Sequence, residues 1–190
     1  MSICSQTLSG YNYSRCEDSG NGGIKELYIA LREDLANTPG VAYDGAVTVT
    51  DGAISAINPA TAQTTPFHRF KFKRETTSMT STGAISDNGS ASWSTEVAIV
   101  FPRMSTAKRT AMMQLFLADT VVIVRDANDE YHYLGLDYAV NATAGGAETG
   151  TAMADANQYT LTLTDLAYEA PLLLNAAGIT SLTALIDDEQ

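Results

Sequence analysis

Residues 158–164, QYTLTLT, alternate apolar and hydroxyl side chains without a break, and this stretch decides the kind of fold that the chain can adopt. Its apolar side chains, those of Tyr159, Leu161 and Leu163, would lie on one face of an extended strand. The threonines between them would lie on the other face, as in a strand with one face in a core and one in solvent. The pattern therefore predicts a half-buried β-strand.

A second alternating stretch, SASWSTEVAIVFP at 90–102, predicts a longer strand. One of its faces carries Trp93, Thr95, Val97, Ile99 and Phe101, and the other carries Ser92, Ser94 and Glu96. The segment before it, FHRFKFKRETTSMTSTGAIS at 67–86, alternates phenylalanine with basic residues, and SDNGS at 86–90 is typical of a turn. Together these segments predict a long β-hairpin over about 67–101 that protrudes from a compact sandwich and could contact neighbouring subunits.

The other segments predict a mainly β architecture with one helix. Residues 105–118 show a helical apolar stripe behind a capping Ser105. TVVIVRD at 120–126 is apolar on both faces, which predicts a central strand covered on both sides. VTVTDGAISAI at 47–57 predicts a hairpin that turns at Asp51 and Gly52. We therefore expect an antiparallel β-sandwich or distorted barrel with one flanking α-helix at about 105–118.

The domain organisation expected from these elements is one β-sandwich domain at 23–171. An N-terminal arm at 1–22 precedes it, and a C-terminal arm at 172–190 follows it. The C-terminal segment fits either a final strand plus a helix or an arm that docks on another subunit. In YHYLGLDYAV at 131–140, the side chains expected to point inward are those of Leu134, Leu136, Tyr138 and Val140, and those expected to point outward are Tyr133 and Asp137.

Charge is distributed unevenly along the chain. Residues 1–125 contain 11 Lys and Arg and 11 Asp and Glu, whereas residues 126–190 contain 11 Asp and Glu and no Lys or Arg. The C-terminal third is therefore not expected to bind nucleic acid, because phosphate binding depends on basic residues. Lys108 and Arg109 lie in the first turn of the predicted helix, where the helix dipole disfavours cations. Either these two residues are exposed by chance, or they face an acidic partner surface.

No set of side chains indicates catalysis. The chain has two histidines, His68 and His132, and lacks the usual nucleophile, zinc-protease and nucleotide-binding motifs. Cys4 and Cys16 are interpreted as reduced thiols, with a disulfide or half of a metal site as open alternatives. No apolar run approaches the roughly 20 residues that span a bilayer, and the N-terminus lacks a secretory pattern. We expect no enzymatic activity, metal site, cofactor or membrane association.

The order of these features resembles that of tail tube proteins of tailed bacteriophages, of the type found in phages of Bacteroidetes-like hosts. The stretches that carry the resemblance are ICSQTLSG and GNGGIKELYIA near the start, then STAKRTAMMQLFLAD, TVVIVRD, YHYLGLDYAV, and AGGAETGTAMADAN leading into QYTLTLTDLAYEAP. Together they cover most of the chain.

The resemblance implies a self-assembling virion protein. Six copies would join edge to edge into a homohexameric ring, and rings would stack through the long hairpin and the termini. The tube would lie in the phage tail, assemble in the host bacterial cytoplasm, contact other tail proteins and conduct DNA without specific binding. Its lumen would be acidic, so that phosphate slides past it. The lumen candidates are Glu96 and Asp137, and the candidates for contacts between subunits are Arg69, Phe70, Lys71, Phe72, Lys73, Asp87, Asn88, Gly89, Lys108 and Arg109.

Two alternatives remain at the level of the sequence. A head–tail connector, a tail terminator or a capsid decoration protein would share a related β fold but form a single ring or a shell. A carbohydrate-binding β-sandwich module would instead use an exposed aromatic platform, for which Trp93, Tyr131 and Tyr133 are the available residues.

Overall fold

The computed structural model describes residues 20–61, 66–72, 75–87, 89–153 and 155–187. Cys4, Cys16, Lys73, Asn88 and most of the predicted arm at 1–22 lie outside these residues. In chain order the elements are β1 (Ile24–Leu31), β2 (Val47–Thr50), β3 (Ala53–Ile57), β4 (Phe67–Lys71), β5 (Ser78–Ile85), β6 (Ala91–Pro102), α1 (Thr106–Leu117), β7 (Thr120–Asp126), β8 (Tyr131–Leu134), β9 (Asn141–Glu148), β10 (Gln158–Ala167), β11 (Leu172–Leu173), α2 (Ala176–Ala184) and β12 (Ile186–Asp187). Short 3-10 turns occupy Arg32–Asp34 and Ala42–Gly45.

Two sheets form a sandwich, and this confirms the predicted mainly β fold with a flanking helix. The larger sheet has six strands in the order β11-β8-β7-β1-β4-β12, and the smaller has four in the order β5-β6-β10-β9. The strands β2 and β3 form a separate hairpin, which turns at Asp51 and Gly52 with positive φ at both residues, as predicted. Each of the two larger sheets ends in an edge strand on either side, so the described strands do not close into a barrel.

The six-stranded sheet is covered on both faces. Consecutive residues of β7 alternate between two cores, so that Val121 and Ile123 pack on one side and Val122 and Val124 on the other. The first side meets the β2–β3 hairpin and α2, and the second meets the four-stranded sheet and Leu115 of α1. The prediction of a central, doubly covered strand at 120–126 is confirmed. A strand of this kind is apolar at every position because neither face touches water.

The four-stranded sheet is covered on one face only. Tyr159, Leu161 and Leu163 of β10 are buried, while Thr160 and Thr162 between them are partly exposed. This burial confirms the half-buried strand predicted at 158–164. Helix α1 begins after Ser105, whose side chain accepts a hydrogen bond from the backbone N–H of Lys108, as a capping residue does.

The hairpin predicted over about 67–101 is shorter in the structure, because β4 lies in the other sheet. Strand β4 pairs with β1, and the hairpin consists of β5 and β6, paired from Ser78 opposite Ala98 to Ile85 opposite Ala91. The reason is burial on both faces of β4. Phe67 is fully buried in one core and Phe70 packs against the other, a pattern that belongs in a doubly covered sheet.

The strand predicted over 131–140 also ends early. Strand β8 stops at Leu134, because Gly135 follows with a φ of +95° that a residue with a side chain rarely adopts. Tyr133, which was expected to point outward, is only 1% exposed, whereas Tyr138, which was expected to point inward, is 53% exposed. Both faces of β8 are covered near its end, so alternation in the sequence cannot show which side is inside.

Residues 172–187 belong to the same sandwich and do not form the separate C-terminal arm that we predicted. Strand β11 pairs with β8, and β12 pairs in parallel with β4. Helix α2 is capped by Asn175 and buries Leu182 in the core beneath the β2–β3 hairpin. The alternative expectation for this segment, a final strand and helix, matches these elements. The apolar residues of the tail are used within their own subunit.

Candidate functional site

The bare face of the four-stranded sheet is rich in hydroxyl groups. Its residues include Ser78, Thr80, Thr82, Ser92, Ser94, Glu96, Ala98, Gln158, Thr160, Thr162 and Thr164, and none of them is buried. The four strands contain no Lys or Arg. Glu96 is exposed near the middle of the face, and Glu148 at its end accepts a hydrogen bond from Gln158 Nε2 at 2.5 Å. The surface is therefore neutral to acidic.

The two edge strands of this sheet, β5 and β9, are long and contain few of the residues that prevent pairing with another chain. Each strand has eight residues, most of them exposed, and neither contains Pro, Lys or Arg. These are the residues with which proteins commonly protect an edge strand from pairing with another chain. Three antiparallel pairings separate β5 from β9, so the two edge strands run in opposite directions. The edges could thus continue one antiparallel ladder from copy to copy.

Strand β9 contains one bulge. Ala144 pairs with Thr162 and Ala142 pairs with Leu163, which leaves Thr143 without a partner in the ladder. The Thr143 hydroxyl lies 2.8 Å from that of Thr164 on the bare face. Because bulges bend a strand, this edge is twisted at one position rather than flat.

A cleft of about 580 Å³ brings together five of the ten residues that we predicted for contacts between subunits. Phe70, Phe72 and Phe101 supply its aromatic surface, and the two phenylalanines of the β4 segment pack with ring centroids 6.5 and 5.9 Å from that of Phe101. Ala107 and Ala111 of α1 line the opposite side. The charged groups at the cleft are Arg69, Lys71, Lys108 and Asp187.

The contacts of Lys71 and Lys108 at the cleft are made within the chain. Lys71 Nζ lies 3.8 Å from Glu26 Oε1, and the Lys108 ammonium donates a hydrogen bond to the carbonyl oxygen of Pro102. Lys108 is thus stabilised locally despite its place in the first helical turn. The helix dipole alone therefore does not require an acidic partner there. Arg109 is exposed and does not line the cleft.

The hairpin tip carries two more of the predicted contact residues, Asp87 and Gly89. The backbone of Ser86 holds the turn closed, with its N–H 2.9 Å from the Ser90 carbonyl oxygen and its own carbonyl accepting from the Gly89 N–H at 2.8 Å. Ile85 beside the turn is 81% exposed. Opposite it, Ala91 has no third strand beside it, because the pairing of β6 with β10 ends at Trp93. The tip therefore projects beyond the rest of the sheet.

The two predicted lumen residues do not share a surface. Glu96 lies on the bare face, whereas Asp137 lies in the loop after β8. Asp137 Oδ2 accepts a hydrogen bond from the Tyr168 N–H at 2.9 Å, at the end of the sheet near the hairpin tip. Of these two predicted residues, only Glu96 could line a channel formed by the bare face.

Sequence reasoning missed one buried carboxyl group, that of Asp165. It lies on the core side of β10 opposite Thr95 and is 3% exposed. The Gly135 N–H donates to it, while its Oδ1 accepts no hydrogen bond within the described chain. Burial raises the pKa of this carboxyl to about 6. The alternation of 158–164, extended by one residue, already places position 165 on the core face.

The aromatic platform required by a carbohydrate-binding module does not form. Tyr133 is buried, Tyr131 stacks on Tyr28, and Trp93 lies against Gly83 of the neighbouring strand. Within the described ranges, no cluster of three or more His, Cys, Asp or Glu could hold a metal ion. None of the helices seen there is long and apolar enough to cross a membrane.

Comparison of the chain with protein-family models, curated proteins and solved structures found no match.

Proposed function

We propose that this chain is a self-assembling structural subunit, most specifically the tail tube subunit of a tailed bacteriophage. The observation that carries the proposal is the four-stranded sheet. Its two edge strands are exposed and lack Pro, Lys and Arg, and its bare face lacks basic residues. Copies related by rotation would place β5 of one beside β9 of the next. Because these strands run in opposite directions, each junction would extend the antiparallel ladder.

The bare face supports a role as the wall of a DNA channel. The hydroxyl groups of this face bind water, and the carboxylates of Glu96 and Glu148 repel phosphate. Protein–DNA affinity comes largely from Lys and Arg that neutralise phosphates and release counterions. A channel lined by this face would therefore let DNA pass without holding it. The number of copies in the ring, six by resemblance, belongs to the same proposal.

The same edges would also serve a head–tail connector or a tail terminator, which form one ring instead of a stack. The distinction between these proteins and a tube subunit lies in the ends of the ring, not in the lateral contact. A subunit whose two ends differ in chemistry favours repeated stacking. The ends of this chain differ in this way, because the cleft lies at one end and the hairpin tip at the other.

Negative-stain electron microscopy of the purified chain across a concentration series, with light scattering, tests the proposal. We expect hollow tubes of uniform width. Isolated rings at every concentration would support the connector or terminator instead. A chain that remains monomeric throughout would contradict the assembly proposal.

The substitution Thr143→Pro tests the lateral edge directly. Proline removes a backbone donor and is tolerated at bulges, and Thr143 is the bulged residue, without a partner in the register of β9 with β10. We expect this variant to keep the wild-type melting temperature within a few degrees and to lose ring formation. Thr143→Ala is the matched control, because it removes the same hydroxyl and keeps the N–H. Normal rings from a folded Thr143→Pro variant would show that β9 is not the joining edge.

A further inference from the structure

Helix α1 exposes more apolar surface than its own chain covers. Of its twelve residues, all of which the structure describes, only Leu115 is buried. Met113, Phe116 and Leu117 are 38%, 40% and 79% exposed, and their spacing of three and four positions places them on one side of the helix. Arg109, which is exposed four positions before Met113, continues this stripe. We call these last four residues the α1 stripe. An exposed apolar surface of this kind marks an interaction site.

The α1 stripe lies beside the edge strand β9, on the core side of the four-stranded sheet. Gly145 of β9 pairs with Leu161, whose side chain is buried in the core, and paired residues point to the same face. A Cβ atom at Gly145 would lie 3.2 Å from the ring of Phe116, so this ring covers β9 on that face. Leu115 points into the core, and Met113 lies about 160° from it around the helix. The stripe therefore faces away from the core, past the edge of β9.

Strand β5 of a second copy carries an apolar residue that fits this position. Met79 of β5 packs on the same core as Leu161, so it points to the core side of the sheet. When β5 of one copy pairs with β9 of the next, the two strands belong to one sheet, and a continuous sheet keeps its two faces. Met79 is partly buried and therefore has surface left for a neighbour. It lies on the side of the junction that the α1 stripe occupies.

Pairing across the sheet gives the level of each residue along the strands. Gly145 of β9 is level with Ile99 of β6, and Asn141, at the start of β9, is level with Glu96. Met79 of β5 pairs with the residue of β6 that lies between these two levels on the core face. Copies related by a rotation about an axis parallel to the strands keep their levels. Met79 of one copy thus arrives between Gly145 and Asn141 of the next.

The last turn of α1 lies between the same two levels. Phe116 contacts the position of Gly145, and Asp119, two residues after the helix, accepts a hydrogen bond from Asn141 Nδ2 at 2.5 Å. Leu117 falls between these contacts and is the most exposed residue of the stripe's apolar part. Strand pairing without an axial shift therefore brings Met79 against the apolar end of the α1 stripe.

One charge of each sign lies at the same end of this junction. Arg109 precedes Phe116 by seven residues, so it lies about 10 Å toward the N-terminus of α1, the end that borders the cleft. Glu75, three residues before β5, is exposed and is the one charged residue among the described positions 75 to 85. Strand β5 begins at that same end, since Ser78 pairs with Ala98 near the end of β6. The arginine and the glutamate therefore have complementary positions and charges.

The other charged side chains of α1 and β9, and that of Asp119 after the helix, are engaged within the chain. Lys108 lines the cleft and donates a hydrogen bond to a backbone carbonyl oxygen. Glu148 accepts a hydrogen bond from Gln158 on the bare face, and Asp119 accepts one from Asn141. The arginine of the stripe is therefore the cation that a carboxylate of the next copy would meet at this edge.

We propose that α1 completes the lateral contact between copies: where β5 of one copy pairs with β9 of the next, Met79 packs against the α1 stripe and Glu75 pairs with Arg109. This inference rests on the proposed function, because strand pairing brings the two surfaces together. The contact is heterologous, with the stripe on one copy and the strand on the other. Side chains thus select which strand joins β9, a choice that backbone hydrogen bonds alone do not make.

A substitution within the stripe tests the apolar part of this contact. Met113→Glu places a carboxylate there, whereas Gln114→Glu, the matched control, adds the same charge at the next residue, about 100° away around the helix. Both side chains are exposed, so both variants should melt within a few degrees of the parent chain. We expect Met113→Glu to raise the concentration at which tubes form by about tenfold or more, because the contact would desolvate the charge. Gln114→Glu should change that concentration by less than about twofold, as measured by light scattering and negative-stain microscopy.

The outcomes separate this inference from the function on which it rests. Tubes from both variants at the parent chain's concentration overturn the α1 contact and leave the tube subunit standing. Equal losses from both variants also overturn it, since they reflect added charge alone. If Met113→Glu melts well below the parent chain, the charge exchange described next decides. A parent chain that never assembles overturns both proposals.

Charge exchange tests the identity of the partner strand. Arg109→Glu and Glu75→Arg should each raise the assembly concentration by about two- to fivefold, the effect of one exposed ion pair. The double variant should recover most of this loss, because the pair is restored with its charges exchanged. Arg109→Glu combined with Asp87→Arg, beyond the far end of β5, is the control and should recover none of it. Losses that add in the first double variant, or equal recovery in both, would show that β5 does not meet the α1 stripe.

Discussion

The two sheets of the sandwich differ in what covers them. The six-stranded sheet has a core on each face, and four consecutive residues of β7, from Val121 to Val124, are fully buried. The four-stranded sheet has one core face and one bare face, and its edge strands β5 and β9 are mostly exposed. The first sheet is covered on both faces within one chain, whereas the second leaves one face and two eight-residue edge strands uncovered.

This difference separates the residues that stabilise the fold from those available for function. A doubly covered sheet makes contacts on both sides, so most of its side chains contribute to the free energy of folding. The open sheet keeps its edge N–H and C=O groups unpaired by strands of its own chain. In a monomeric protein such an edge promotes aggregation, whereas in an assembly it can pair with a strand of the neighbouring subunit. We therefore assign most of the stability to the first sheet and propose that the second sheet mediates self-association.

The largest expected effect comes from truncating the covered sheet. Ile123→Ala removes a fully buried side chain from β7 and should lower the free energy of unfolding by about 2–5 kcal/mol. Thr162→Ala on the bare face is the control and should change it by less than about 0.5 kcal/mol. Urea unfolding followed by circular dichroism measures both values. Similar losses from the two variants would remove the distinction between the sheets.

An intermediate effect comes from Asp165, the carboxyl buried on the core face of the open sheet. Its pKa of about 6 lies above the ordinary value, so the folded chain holds this proton more tightly than the unfolded chain does. Its ionisation therefore costs stability as the pH rises from about 4 to about 6, and the cost is complete above pH 6. Asp165→Asn keeps an acceptor for the Gly135 N–H and avoids the buried charge.

We expect Asp165→Asn to stabilise the chain by roughly 1 kcal/mol at pH 7.5, and the gain should disappear near pH 4. Thermal unfolding across this pH range measures the difference from the parent chain. Asp87→Asn, which removes an exposed carboxylate at the hairpin tip, is the control and should not show this profile. A gain that is constant with pH would mean that Asp165 acts through its shape and not through its charge.

The smallest expected effect on stability comes from Glu96 on the bare face. Glu96→Lys should alter the free energy of unfolding by no more than about 0.5 kcal/mol, because the side chain is exposed. In assembled protein, however, it should create a ring of cations that binds DNA, with affinity that falls as salt rises. Glu96→Gln is the control and should not bind. A DNA-binding assay on tubes that finds no difference would show that this face does not line the channel.

Several elements could be predicted from local patterns. The half-buried strand at 158–164, the doubly covered strand at 120–126 and the helix behind Ser105 follow from periodicity and capping alone. The wrong assignments arise where residues are buried on both faces or where glycine interrupts a strand. Alternation could not show that β4 leaves the hairpin, or that Tyr133 is inside, because each of these strands packs apolar residues against both cores.

The candidate site divides in a similar way. Alternation placed Glu96 on the bare face, and it would also have placed Asp165 on the core face. No local pattern could bring Phe70 and Phe72 of β4 together with Lys108 of α1, because about 35 residues and a change of sheet separate them. The cleft exists only because the edge of one sheet and the start of a helix meet.

The sequence by itself determined the mainly β class, the single long helix after β6 and the acidic, cation-free last third, since periodicity, capping and charge are local properties. Only the tertiary structure decided which strands share a sheet, which edges remain open and which cations line the cleft. Those choices depend on contacts between distant segments, and many pairings satisfy the same local pattern until packing of the two cores selects one.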